Sequence, residues 1–422
     1  MQKLLMLGTS KGSCEMVAYA KSQGIYTIVT DPRLPEDSRA KIVADEYWMI
    51  DISDIDTLEK KCISDGISGI SCGISTFCIP VVMELCRRLN LPAYCTPETW
   101  KYTMDKYEFK KMCRSYGVPV ATDYFVSDPP TEPEIDNIVL PVMVKAVDQS
   151  ANRGMSYCYD REDILPAIEY AHSFSKNRNI VVERMLHGTE YTAYYALANG
   201  KSSLISLFSD LSQPGTPGKC YAINSTACDK LDLYLKEIHP GFTRALEGAG
   251  FKEGVCWIEL MLDEDGHFYV IEMGYRMSGD MMAIPIDNVF GFNSYKWLVD
   301  IAMGIKHLEG DLPKSQGSLP KKCGCSYILW SNDSSGVVSR IDGVDRITSL
   351  PGVALACDVK VGSHYNPNQY LLTFLIDDES VEGVCRVIEV INREVSVFNE
   401  FNEDISLKFT DLRKLKDVYY CR

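Results

Sequence analysis

No run in this sequence approaches the roughly 18 apolar residues needed to cross a bilayer. The N-terminal stretch "MQKLLMLGTSKG" holds about four apolar residues in a row, too few for a secretory signal. Positive charge is in deficit: 43 Lys and Arg face 58 Asp and Glu, a net charge of −15. That balance argues against non-specific binding to nucleic acid or to an anionic membrane, since both need clustered basic side chains. It leaves room for a small anionic substrate in a local basic pocket. Internal repeats and low-complexity tracts are missing too. The 16 cysteines are scattered, and "CGC" at Cys323 to Cys325 lacks a second pair at zinc spacing. They read as buried thiols, and the cytoplasm as the compartment.

What is present suits an ordinary globular protein, with 46% apolar and 24% charged residues over 422 positions, enough for two or three structural units. Residues 1–95 alternate strand and helix patterns. "KLLMLG" is a buried strand, "SCEMVAYAKSQG" a helix ending at Gly24, "IYTIVTD" a second strand and "GISCGIS" a third. "STFCIPVVMELCRRLNLP" reads as the next helix. Interleaving of this kind predicts a parallel, doubly wound α/β sheet. Thr96 with Pro97, and Asp105 with Glu108, carry helix-start signals, and Gly117 a stop. Residues 140–195 read as strand, glycine-containing loop, helix, strand and strand. Beyond about residue 315 the pattern is strand-rich, interrupted by a helix near 379–394.

A dinucleotide fingerprint is incomplete. Gly8 and Gly12 follow the first strand and Asp31 ends the second, but "GTSKGSCE" lacks the GxGxxG spacing. A structural turn or part of a substrate pocket is the better reading, with a nicotinamide oxidoreductase as one alternative for the whole chain.

Two glutamates carry more information. "CWIELML" and "HFYVIEM" are joined by "DEDG", a hairpin signal. With Asp265 and Gly266 as a two-residue turn, Glu264 faces His267 and Glu259 faces Glu272. Like charges directly opposite destabilise a sheet. A hydrated divalent cation between them removes that penalty, and oxygen ligands suit magnesium. The plainer reading is two glutamates on a solvated face.

Other stretches add to the pair. "VMVKAVDQSANRGMSY" puts Lys145 on a strand ahead of a small polar loop ending at Arg153-Gly154, suited to covering phosphates. "NIVVERMLHGTEYT" puts Glu183 at a strand end and Glu190 after a turn at Gly188. "TMDKYEFKKM" puts Lys106 just inside a helix start, where amides and ammonium both attract phosphate. Taken alone, each lysine is an ordinary surface charge.

In this order the stretches resemble the ATP-grasp superfamily, from the first strand to about residue 312. The resemblance implies a Rossmann-like N-terminal domain (1–95), an ATP-grasp α+β clasp of two subdomains (96–312) and a strand-rich α+β C-terminal subdomain (313–422). It implies that Lys106 and Lys145 contact ATP phosphates, beneath a loop containing Gln149, Ser150, Arg153 and Gly154. Glu183 and the backbone at Met185 and Leu186 would meet adenine, and Glu190 the ribose. Glu259 and Glu272 would hold magnesium, and Arg276 would stabilise phosphoryl transfer. Ser278 would cap the following helix. The family's asparagine two residues after the second glutamate is Gly274 here, which offers no ligand atom.

The activity implied is that of an ADP-forming carboxylate–amine ligase, resembling amino-acid ligases and the glycinamide-forming ligases of purine synthesis. Its partners would be a small carboxylate, an amine and, for assembly, a second copy in a homodimer. The competing reading from another class is a nucleotide-binding regulatory protein with eroded catalysis, for which Gly274 is the main support.

Overall fold

A computed structural model describes residues 1–146, 154–175, 179–212, 221–314 and 322–420. At the N-terminus, β1 (Lys3–Leu7), β2 (Tyr26–Thr30), β3 (Glu46–Trp48) and β4 (Gly69–Cys72) form a parallel sheet in the order β3-β2-β1-β4. Helices Ser13–Ser22, Arg39–Val43 and Ile55–Asp65 connect them, as parallel crossovers require, and helix Cys78–Leu89 follows β4. The strand β3 and the helix Ile55–Asp65 are not among the elements expected from the sequence, and they make "GISCGIS" the fourth strand rather than the third.

Thr96 and Asp105 begin helices Pro97–Met104 and Lys106–Ser115, with the Asp105 carboxylate accepting from the Tyr107 and Glu108 amides at 2.9 and 3.1 Å. Gly117 follows the second at φ 72°, the left-handed value that a helix stop requires.

A four-stranded antiparallel sheet then forms from β5 (Asp123–Tyr124), β6 (Val142–Ala146), β7 (Met155–Cys158) and β8 (Ile180–Arg184), in the order β5-β8-β6-β7. The helix Arg161–Phe174 covers it, burying Ile164, Ile168 and Ala171 against Val142, Val144, Cys158 and Val182. The strand β7, between the loop and the helix, is an element that the expected order did not include.

Residues 185–187 lead from this sheet into a larger one. Its strands are β9 (Gly188–Ala198), β10 (Lys201–Ser212), β11 (Tyr221–Ser225), β12 (Gly254–Asp263), β13 (Phe268–Gly274) and β14 (Cys323–Ser331). Further along the chain come β15 (Gly336–Asp342), β16 (Val353–Asp358), β17 (His364–Tyr365), β18 (Tyr370–Asp378), β19 (Ser396–Asn399) and β20 (Ser406–Leu407). The path β13-β12-β9-β10-β11-β14-β18-β16, with β20 beside β14, makes nine strands, so hydrogen bonding continues from β11 across to β14. The remaining strands form the sheet β17-β15-β19.

Strand β9 packs on both faces with period two: Tyr191, Ala193, Tyr195 and Leu197 enter one core and Tyr194, Ala196 and Ala198 another. No helix among the described residues is long and apolar enough to cross a membrane. The cysteines whose side chains are described are free thiols, and most are buried.

The β12–β13 hairpin differs from the two-residue turn expected from "DEDG". The Asp263 amide donates to the His267 carbonyl at 3.0 Å, leaving a three-residue loop with Gly266 at φ 82°. That loop shifts the pairing by one, to Leu262 with Phe268 and Leu260 with Val270. A β-bulge after Glu259 shifts it back, and Glu259 does face Glu272. Two departures from the simple hairpin cancel at the pair.

Candidate active site

Two groups of charged side chains lie on either side of the 185–187 connection. On the smaller sheet, Lys145 is 9% and Glu183 4% exposed, so Lys145 is a buried cation rather than an ordinary surface lysine. The Lys145 ammonium donates to one Glu183 oxygen and the Lys110 ammonium to the other. Lys110 also donates to Asp123 at 2.5 Å, and Arg114 donates to the same carboxylate. Burial alone would raise the Glu183 carboxyl, but Lys145 and Lys110 outweigh it and hold it at about 2. Lys145 moves down, because burial and the neighbouring lysines exceed its share of that one carboxylate. The group is closed: each charge has a partner of opposite sign.

The second group crosses the larger sheet. Glu272 on β13 faces Glu259 on β12, and Glu259 faces Thr192 on β9. Glu190 precedes Thr192 by two residues and therefore shares its face. Next along the row, the buried Asp210 on β10 accepts from Thr192 Oγ1 at 2.9 Å and from Asn224 Nδ2 at 2.5 Å. Lys106 Nζ lies 2.8 Å from Glu272. Burial opposes its charge, yet Glu272, with Glu183 and Glu259 behind it, raises its pKa. Glu259 has no ion pair among the described residues, and burial together with Glu272, Glu190 and Asp210 pushes its carboxyl well above the usual range. Asp210 is pushed up to about 8, chiefly by burial.

Between the groups, the Met185 amide donates to Pro141 O at 3.0 Å, and Met185 is buried while Leu186 is half-exposed. Arg184 pairs with Asp263, and the His187 amide donates to Asp263 at 2.7 Å, which ties the connection to the β12–β13 loop. Gly154 stands at φ 68°, and a Cβ there would meet Phe174 at 2.8 Å. Gln149, Ser150 and Arg153 lie outside the described residues.

Arg276 follows β13. Its Nε donates to Thr76 Oγ1 at 3.2 Å, its Nη1 to Met277 O at 2.8 Å, and its guanidinium lies 5.1 Å from the centre of the Trp257 ring. Ser278 does not cap a helix. Its hydroxyl donates to Asp280 at 2.5 Å, and it is Asp280 that accepts the Met282 amide ahead of helix Ala283–Phe290. A carboxylate accepts two donors at once, which a hydroxyl does less well.

A family model for the ATP-grasp domain matches residues 138–284, a span holding Lys145, Glu183, Glu190, Asp210, Glu259, Glu272 and Arg276. The chain carries an ATP-grasp domain. Its architecture is shared with an L-amino acid ligase from Bacillus licheniformis, at a TM-score of 0.76 and 17% identity over 95% of this chain and 99% of that one. A phosphoribosylglycinamide synthetase from Anaerococcus prevotii aligns at 0.74 and 19% identity, over 94% and 100%. The biotin carboxylase domain of Hydrogenobacter thermophilus 2-oxoglutarate carboxylase, solved with MgADP and bicarbonate, aligns at 0.74 and 16%, over 99% and 98%. Identity this low establishes a common fold.

Within the ATP-grasp domain, Glu259 and Glu272 are two oxygen-donor side chains short of cationic partners, which fits a magnesium ion. No group of three or more His, Cys, Asp or Glu among the described residues is placed to hold a metal. A magnesium ion held by this pair would draw its remaining oxygens from nucleotide and water, as is usual for magnesium.

Sequence reasoning overlooked Lys110, Asp123, Asp210 and Trp257. Lys110 stands four residues after Lys106, hence on the same helical face, and Trp257 two before Glu259, hence on the same strand face. Those spacings were the available signals. The Gly8–Gly12 turn is packed: a Cβ on Gly12 would meet Met277 and Tyr295 at 3.1 Å, and Lys11 Nζ donates to Gly279 O at 3.0 Å.

Proposed function

We propose that the protein is an ATP- and magnesium-dependent ligase that activates a carboxylate as an acyl phosphate and joins it to an amine, releasing ADP. The observation carrying this reading is the Glu259–Glu272 pair, facing across the hairpin with Lys106 paired to Glu272 alone. Magnesium bound there would neutralise the phosphates during transfer. Lys106 and Lys145 would meet the phosphates, Glu183 and the 185–186 backbone the adenine, and Glu190 the ribose. A substrate carboxylate oxygen attacks the γ-phosphorus as the bond to ADP breaks. The amine nitrogen then attacks the acyl carbon, phosphate leaves and the amine gives up a proton. Arg276 would stabilise the negative charge of the transferring group and of the acyl phosphate. The ligase structures with the same fold support the acid–amine class, and the MgADP complex supports the nucleotide and metal.

A thermal scan tests the nucleotide part. MgATP at millimolar concentration should raise the melting temperature by mass action, and NAD should not. ADP release is then measured with pooled amino acids as both acid and amine. Nucleotide binding without ADP release from any acid–amine pool would favour a regulatory protein, for which the missing side chain at Gly274 speaks.

A further inference from the structure

Gly274 is opposite Trp257 across β12 and β13. A Cβ on Gly274 would come within 2.3 Å of indole Cε2 and Cζ2 and 2.6 Å of Nε1. The indole thus occupies the space into which any side chain at 274 would grow, and an asparagine there could not coexist with this tryptophan. Trp257 is 6% exposed, and its Nε1–H is buried without a hydrogen-bond partner. A buried donor left unpaired costs stability, which marks a position awaiting an acceptor. Against the same ring lies the Arg276 guanidinium, fixed by Thr76 and Met277.

The chemistry at this position is inverted relative to the asparagine of the family pattern. An amide oxygen ligates a cation, whereas an indole N–H can only donate. A donor beside a guanidinium repels a metal ion and suits an anionic oxygen. We propose that Trp257 converts a cation-ligand position into an anion-binding one: its N–H and Arg276 together receive an anionic oxygen of the reactants, and the site holds a single divalent cation. The inference rests on the ligase reading and deepens it. The oxygen belongs either to the transferring phosphate or to the substrate carboxylate, and both present the same charge.

Two measurements on the full chain test it. Manganese bound per chain, counted by electron paramagnetic resonance with a non-hydrolysable ATP analogue, should be one, and this count needs no variant. Calorimetric titration of the MgADP complex with inorganic phosphate, and separately with acetate, compares wild type with Trp257→Phe, which keeps the ring under Arg276 and removes the N–H. Weakening of about tenfold is expected for at least one anion, with ADP affinity unchanged. Loss confined to phosphate assigns the N–H to the transferring group, and loss confined to acetate assigns it to the substrate. Two manganese ions per wild-type chain, or unchanged affinity for both anions, overturns the proposal while leaving the ligase reading standing. Absence of any nucleotide analogue binding removes the ligase reading itself.

Discussion

Around Glu183, three cations (Lys110, Lys145 and Arg114) meet two carboxylates, Glu183 and Asp123. Along the larger sheet, Glu190, Asp210, Glu259 and Glu272 stand in one row with Lys106 as the ammonium that bridges to it. The two groups use the same residue types in the same domain. One is compensated and buried, so that removing a member leaves a charge stranded. The other carries excess negative charge, so that removing a member relieves repulsion. Stability and ligand binding should therefore respond in opposite ways on the two sides of the 185–187 connection.

The largest expected effect breaks the closed group. Glu183→Gln strands Lys145 and leaves Lys110 with Asp123 alone, and should cost about 3 kcal/mol or more, read from urea unfolding. A loss no greater than that of an exposed ion pair would show that water already shares these lysines.

In the open row the expectation is for activity rather than stability. Glu259→Gln and Glu272→Gln should each lower metal-dependent ADP formation by roughly 10²-fold in single turnover. Their melting temperatures without metal sharpen the contrast further. Glu259→Gln removes a carboxyl whose charged form is opposed by burial and by its neighbours, and should stabilise the protein. Glu272→Gln also removes the Lys106 pair, so its gain should be offset to within about 0.5 kcal/mol. Near-wild-type turnover in both variants would defeat the metal-site assignment.

A further effect depends on pH. The Asp210 carboxyl, raised to about 8 in the folded protein, ionises in the unfolded chain near the ordinary aspartate value. As pH rises between those values the unfolded state releases its proton first, so Asp210 lowers stability across that window. Asp210→Asn should thus gain stability over wild type at pH 8 and little at pH 4. Melting temperatures at the two values would show it. An equal difference at both would mean that Asp210 is ionised throughout.

How much was legible in the sequence varies with the reach of the interaction. The parallel N-terminal sheet was readable as a class because most of its strands and helices alternate along the chain, although β3 and the helix Ile55–Asp65 were not read. The pairing of Glu259 with Glu272 was also readable, although by a count that ignored a longer loop and a bulge; these shift the register in opposite senses. The burial of Lys145 was not readable, since alternation along one strand cannot say what lies above it. Trp257 over Gly274 was hidden for a related reason: the glycine showed only as a missing ligand, while the ring that fills its space is on another strand.

The sequence by itself determined the parallel α/β class of the N-terminal sheet, the helix starts at Thr96 and Asp105, and the placement of two glutamates on adjoining strands. Each follows from backbone geometry and side-chain periodicity within a few residues of chain. Only the tertiary structure decided which charges are compensated. Lys110 reaches Glu183 across 73 residues, and Lys106 reaches Glu272 from a helix to a distant hairpin. A charge's environment is set by whatever packs against it, and long-range packing has no local signature.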